Sequence, residues 1–230
     1  MSRAANDRRS YLRYLRESRG VGAVVGEVAL RLLRPIYHHQ RQAIFFNDLQ
    51  HDAGMGGGAE ERDGARVECL TLLSPDLLDS YRDEVSDDVW PGLKRRFKDG
   101  RIAFLARAIE KGEDRGTIVG YSLWEPGVFS AMGRHGSVAP DILFGHYIYV
   151  HPAYRGRRIF RRLRATTFAY CRAHGFRMTC SLTSTRNRAA LRARVSMGDR
   201  EVGIVSRIAV LGGLLTWETP WEEIVTLLDA

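Results

Sequence analysis

From residue 66 onward, short apolar runs alternate with polar, glycine-punctuated gaps. Val67 to Leu73, Ile102 to Ala108, Thr117 to Trp124, Tyr147 to Val150, Arg177 to Thr183, Val202 to Val210 and Leu214 to Trp217 are rich in β-branched, aromatic and aliphatic residues and predict strands. Gln42 to Leu49 predicts one more short strand. Helical spacing appears elsewhere. Ser74-Pro75-Asp76 opens a helix to about Ser86, with Pro in the first turn where its missing donor costs nothing. A second helix covers Val89 to Lys98. Ile159, Leu163, Thr166, Thr167 and Tyr170 recur every three or four residues up to about His174. Asn187 to Gly198 carries an Asn at its start and a Gly at its stop. Residues 126–141 read as a long Gly-rich loop, a candidate lid. Strands and helices do not alternate strictly, which argues against a doubly wound domain and for a mixed α/β (α+β) fold.

The N-terminal 35 residues predict a helical arm. Tyr11, Leu12 and Leu15 share one face; after Gly20 and Gly22, Val21, Val24, Val25, Val28 and Leu32 share another, and Pro35 ends the segment. Residues 51–64 have the composition of a linker. The organisation expected is therefore an arm over 1–50, a Gly-rich linker over 51–64 and one folded domain over 65–230, closed by an amphipathic segment from Trp221 to Leu228. The arm packs on its own domain, packs on a second subunit as in a homodimer, or makes peripheral contact with an anionic membrane surface. The first two are the ordinary use of a helix with one apolar face.

Composition changes this picture only modestly. The formal net charge is +8, and only Lys94, Lys98 and Lys111 among the 35 basic residues are lysines. Such a chain attracts polyanions in general. No zinc spacing, RNP-type aromatic motif or basic tail accompanies the charge, so nucleic acid is not the expected partner. Cys69, Cys171 and Cys180 follow no metal spacing and read as ordinary thiols of a reducing compartment. The longest apolar run, Val21 to Leu30, is interrupted by Glu27 and too short for a bilayer. Cytoplasmic location without a transmembrane segment is the resulting expectation, and no metal is expected.

The chemistry concentrates between residues 146 and 194. A strand ending at Val150 runs through a turn marked by Pro152 and Gly156 into an arginine-rich helix. This order aims unpaired backbone N–H groups and the positive end of a helix dipole at one spot, the usual way to bind phosphate. No acidic residue lies between Asp141 and Asp199, while twelve arginines fall between Arg155 and Arg194. A solvated helix face normally mixes signs; a one-sign block opening at a phosphate-type turn suggests a ligand with several negative charges.

These residues resemble the GCN5-related N-acetyltransferases (GNAT) over about residues 66–210. The resemblance rests on Val150-His-Pro-Ala-Tyr-Arg-Gly-Arg-Arg-Ile-Phe160, the helix and strand that follow, and Asn187-Arg-Ala-Ala190 with Met197-Gly198. It implies a mixed central β-sheet flanked by helices and an acetyl-CoA-dependent transfer to an amine. Arg155, Gly156, Arg157, Arg158, Ile159 and Phe160 would then form the pyrophosphate loop. Tyr149 and Val150 would face the pantetheine arm, and Asn187 would add a polar contact. The motif departs from the family at Arg158 and Phe160, which stand where small residues are usual. Arg194 stands where many members carry an acidic Tyr, and Asp199 where an aromatic is usual.

The resemblance further implies direct acyl transfer, which needs a group to take the amine's proton. His146 is the first candidate and Glu125 the second. A backbone N–H near Val150 would meet the developing charge on the carbonyl oxygen. For the leaving thiolate, Tyr154 offers a proton and Arg194 a cation. Each residue also has an ordinary structural role: His146 as a hydrogen-bonded strand histidine, His151 as a turn residue, Asn187 as a helix cap. An acidic acyl-carrier protein in place of free CoA is a variant suggested by the basic surface. A CoA sensor without turnover is the alternative suggested by Arg158, Arg194 and Asp199.

Overall fold

The computed structural model describes residues 37–49, 66–111, 116–210 and 215–220. The predicted arm over 1–35, the linker over 51–64 and the segment from Trp221 to Leu228 lie outside them. The chain divides into two units, the larger drawing its described residues from Gln42–Val205 and the smaller from 37–41 and Ser206–Pro220.

In the larger unit the strands are β1 (Tyr37–Asp48, from Gln42 onward), β2 (Arg66–Leu72), β3 (Ile102–Ile109), β4 (Thr117–Pro126), β7 (Ile142–Val150), β8 (Met178–Ser184) and the first part of β9 (Arg200–Val210). They form one sheet in the order β9-β1-β8-β7-β4-β3-β2. Pairing is antiparallel for β2 with β3, β3 with β4, β4 with β7 and β1 with β8; β7 and β8 are parallel. Residues 42–48, assigned from sequence to the arm, are thus a strand of the sheet, with Gln42 opposite Ser184 and Asp48 opposite Met178. The reason is local: Ala43, Ile44, Phe45 and Phe46 are all buried, so this run needs cover on both faces.

Helix α1 (Trp90–Arg96) and a 3₁₀ segment, Pro75–Glu84, cover one face of the sheet. Leu78, Val85, Val89, Leu93 and Phe97 pack there on Ala103, Leu105, Tyr121 and Leu123. Sequence predicts an ordinary helix at Pro75. Ser74 Oγ does accept the Asp76 N–H at 3.2 Å, but Leu78 is the one buried residue of the segment, too little apolar surface to hold a longer α-helix down. Helix α2 (Ile159–Ala173) covers the other face, setting Ile159, Leu163, Phe168 and Cys171 against Phe104, Val119, Trp124 and Leu143. Helix α3 (Arg188–Val195) follows β8, capped by Asn187, whose Oδ1 accepts the Ala190 N–H.

Residues 126–141 are a β-hairpin, not a long loop. Strands β5 (Val128–Ala131) and β6 (Arg134–Ser137) pair around Met132 and Gly133, which have φ of 53° and 85°. A two-residue turn with both φ positive suits a tight hairpin. Phe129 and Ala131 bury against Ile142 and Phe144, fixing the hairpin as a wall beside the central strand.

In the smaller unit, the end of β9 pairs with β10 (Leu215–Glu218), Arg207 opposite Glu218 with an ion pair at 2.9 Å. Among the described residues no helix is long and apolar enough to cross a membrane.

Candidate active site

The central feature is where β7 parts from β8. The two strands pair only from Ile142↔Met178 to Gly145↔Ser181; β7 then continues to Val150 and β8 to Ser184 without pairing. On its other side β7 keeps β4 as far as Val150↔Gly120. The result is a wedge between two parallel strands, with its apex at Gly145 and Ser181. One edge of β7 beyond the apex lacks a partner strand, so the backbone groups along it, apart from the Val150 carbonyl that Arg155 engages, are open to an extended ligand. Gly145 fits this apex because it has no side chain: a Cβ there would lie 2.8 Å from the Trp124 ring and 3.2 Å from Ser181 Cβ.

The β4–β7 register changes at the same level. Leu123 faces Tyr147 and Trp124 faces Gly145, leaving His146 as the extra residue of a bulge. His146 stacks edge-on against Phe144 at 4.9 Å, on the hairpin face of the sheet. Its Nε2 lies 2.8 Å from Glu125 Oε2. The contact is close, but its geometry is not that of an aligned hydrogen bond. The same carboxylate oxygen accepts from Arg101 Nε at 3.0 Å, and Arg101 also donates to the Arg96 carbonyl at 2.7 Å. Burial, then the Arg101 guanidinium, pull His146 down to about 4 against the opposing influence of Glu125. The imidazole is neutral at physiological pH, as a proton acceptor must be. Sequence reasoning missed Arg101. No local signal marks it: the β3–β4 register, in which Ile102 faces Trp124, brings Arg101 opposite Glu125.

At its far end β7 feeds the turn into α2. His151 Nδ1 accepts the Ala153 N–H and its Nε2 lies 3.2 Å from Asp88, the turn role expected of it. Gly156 has φ of 83°, and an added Cβ would meet nothing within 4 Å. Arg158 has φ of 58° and ψ of 15°, the left-handed region. This explains why glycine is usual at that position: a side chain there costs about 1–2 kcal/mol. No side chain caps α2, a helix of fifteen residues. Ile159 is buried and Phe160 half-buried. Arg155 donates to the Val150 carbonyl at 3.3 Å, and Arg157 lies over the Tyr154 ring at 5.0 Å and near Glu110. The residues expected to bind phosphate are therefore gathered at one end of the wedge. Tyr149, further back on β7, stacks on Tyr121 at 5.8 Å.

Two of the expected site residues are held in place by packing or pairing. Tyr154 sits in the turn beyond Val150, packed on the core. Val150 lies five positions along β7 from Gly145, roughly 16 Å at the usual rise, so Tyr154 stands at the end of the wedge away from its apex. Arg194 does not offer an open cation. Its side chain is buried, its Nη1 donates to Asp199 Oδ2 at 3.0 Å and to Ser181 Oγ, and its guanidinium lies over Phe45. Arg164 of α2 donates to the other oxygen of Asp199, between the Trp124 and Phe168 rings. The two departures noted in sequence, Arg194 and Asp199, are one buried unit with Arg164. Burial is the main cause lowering both guanidinium pKa values, Arg194 to about 10, which leaves it charged.

All three thiols are poor nucleophiles. Burial pushes Cys69 and Cys180 up, and Cys171 to about 12.

The model of the acetyltransferase (GNAT) family matches residues 66–198. Among solved structures, the fold is similar to a tandem GNAT protein from the clavulanic acid biosynthesis pathway, at a TM-score of 0.52 and 16% identity; the match covers 81% of this chain but only 59% of that one. A GCN5-related N-acetyltransferase from Sphaerobacter thermophilus matches at a TM-score of 0.46 and 16% identity over 80% of this chain and 56% of that one. AAC(6')-Iy, in complex with a bisubstrate analog, CoA-S-monomethyl-acetylneamine, matches at 0.41 and 18% identity over 60% and 92%. No curated protein matches the sequence.

Proposed function

Because the chain belongs to the acetyltransferase (GNAT) family, we propose that it is an acyl-CoA-dependent N-acyltransferase that moves an acyl group, acetyl by preference, directly to an amine. One observation carries the proposal: a wedge between two parallel strands opens toward a left-handed turn at the uncapped start of a long helix. The donor's phosphates need backbone amides and cations, and the turn from Arg155 to Phe160 supplies both. The unpaired edge of β7, through Tyr149 and Val150, suits the amide-rich pantetheine arm. Asn187 uses Oδ1 as a cap and keeps its side-chain N–H groups for the same ligand.

The thioester supplies an activated carbonyl carbon and a thiolate leaving group. An arm laid along β7 from the turn brings that end to the apex, beside the His146 bulge. Backbone N–H groups there, rather than near Val150, meet the negative charge that develops on the carbonyl oxygen. His146 takes the amine's proton, and Glu125, held by Arg101, steadies the imidazolium. With no activated thiol among the cysteines, direct transfer is preferred over an acyl-cysteine route.

The test is thiol release from acetyl-CoA over a broad panel of amines, alongside calorimetric titration of the donor. Turnover above the uncatalysed rate supports the enzyme reading. Donor binding with no turnover for any amine would leave a CoA sensor, and no binding would remove the site assignment.

A pH dependence follows. With His146 near 4, kcat/KM should hold level through neutral pH on the acidic side and fall only as the pH approaches that value. Arg101 is one of the groups lowering it, so Arg101→Gln should raise the His146 pKa and move the acid limb to higher pH. An unmoved limb in that variant would remove His146 from the base role.

A further inference from the structure

We propose that Ser181, oriented by Arg194, stabilises the leaving thiolate; this rests on the reading of the β7–β8 wedge as the donor channel. Ser181 is the last residue of β8 paired with β7, so it stands at the apex where the thioester end of the donor arrives. Its Oγ accepts from Arg194 Nη1. A hydroxyl has one proton and two lone pairs, and with a lone pair engaged by a guanidinium its O–H is both polarised and turned elsewhere. Among the described residues that O–H has no acceptor of its own.

The charge behind Ser181 points the same way. Arg164 and Arg194 share the single carboxylate of Asp199, and all three side chains are buried. The group therefore carries one excess positive charge. Arg164 Nε and Nη1 and Arg194 Nε have no hydrogen-bond partner among the described residues. A buried, uncompensated cation is costly to keep. It becomes useful where negative charge develops in the reaction, because the dipoles and charges that receive it are already in place.

Position separates this role from that of the base. His146 faces the hairpin side of the sheet through Phe144, whereas Ser181 lies near Gly145 and Trp124 on the α2 side. The acceptor nitrogen uses its lone pair to form the C–N bond from the His146 side and gives its proton to the imidazole. The C–S bond breaks and its electron pair leaves on sulfur toward Ser181, whose O–H donates to the thiolate. After release the thiolate takes a proton from water and His146 returns one. Ser181 is thus a catalytic residue, and Arg194, which acts through it, a positioning residue.

The test is the ionisation of CoA's own thiol when bound. Thiolate ultraviolet absorbance is followed against pH for wild type, Ser181→Ala and Ser181→Thr. In wild type the bound thiol should ionise at least about tenfold more readily than free CoA, a downward shift of about one pH unit. Ser181→Ala should lose most of that shift and lower kcat with little change in the donor KM; Ser181→Thr, which keeps the hydroxyl, should retain it. A bound thiol that titrates like the free one in wild type, or is unmoved in Ser181→Ala, overturns the proposal and leaves the donor site standing. Failure of wild type to bind CoA overturns both.

Discussion

Replacing Gly156 by aspartate should weaken acetyl-CoA binding by roughly a hundredfold. The position is open, so the new carboxylate meets no steric obstacle and projects where the donor's phosphates are expected. One pair of like charges at ~4 Å costs about 4 kcal/mol at an effective dielectric near 20, and screening at the surface removes part of that. Backbone strain contributes as well, because φ is 83° at this glycine. Gly133 provides the matched control. It too has a positive φ, 85°, with nothing within 4 Å of an added Cβ, but it lies in the β5–β6 turn. Gly133→Asp therefore carries the strain and the charge without the phosphates. Calorimetry on both variants reads the difference; equal affinities would show that the α2 turn holds no phosphate.

Asp199→Asn should be the most destabilising polar substitution among the described residues. It leaves Arg164 and Arg194 facing each other in the interior with no counter-charge. Removing one partner of a buried ion pair typically costs about 3–5 kcal/mol. In a chain of this size that lowers Tm by roughly 10 °C. The exposed pair of Lys94 with Asp79 gives the contrast: Asp79→Asn should change stability by less than about 1 kcal/mol. Thermal or urea unfolding of the two variants checks both. A small effect at Asp199 would mean that the arginines find other partners.

The central strands were legible because their burial is nearly uniform along the run, and helix α2 because its buried apolar residues recur at helical spacing. Ile102 to Ala108 and Thr117 to Trp124 must be covered on both faces, and that demand is written directly in apolar residues. The glycine turn before α2 was legible because its geometry is local, set by Gly156 and the helix start. Three features were not. The β5–β6 hairpin turns on Met132-Gly133, and methionine is not a residue that announces a positive φ. Burial of Arg164 and Arg194 is hidden in a one-sign block whose only nearby acid, Asp199, follows at its end. Arg101 reaches Glu125 through strand register, which a single sequence does not display. In the last two cases a long-range pairing overrode the local signal.

The shortness of the β7–β8 seam has a mechanical consequence. Four residue pairs, Ile142↔Met178 to Gly145↔Ser181, are all that joins β2-β3-β4-β7 to β8-β1 through the sheet's own ladder. Beyond Gly145 the two halves of the sheet are separate leaves. On the proposed function, a donor arm lying between them would complete the ladder that the protein leaves open, so its binding energy would also be cohesion between the leaves. The ligand would then be a temporary strand, closing the sheet when it binds and reopening it when it leaves.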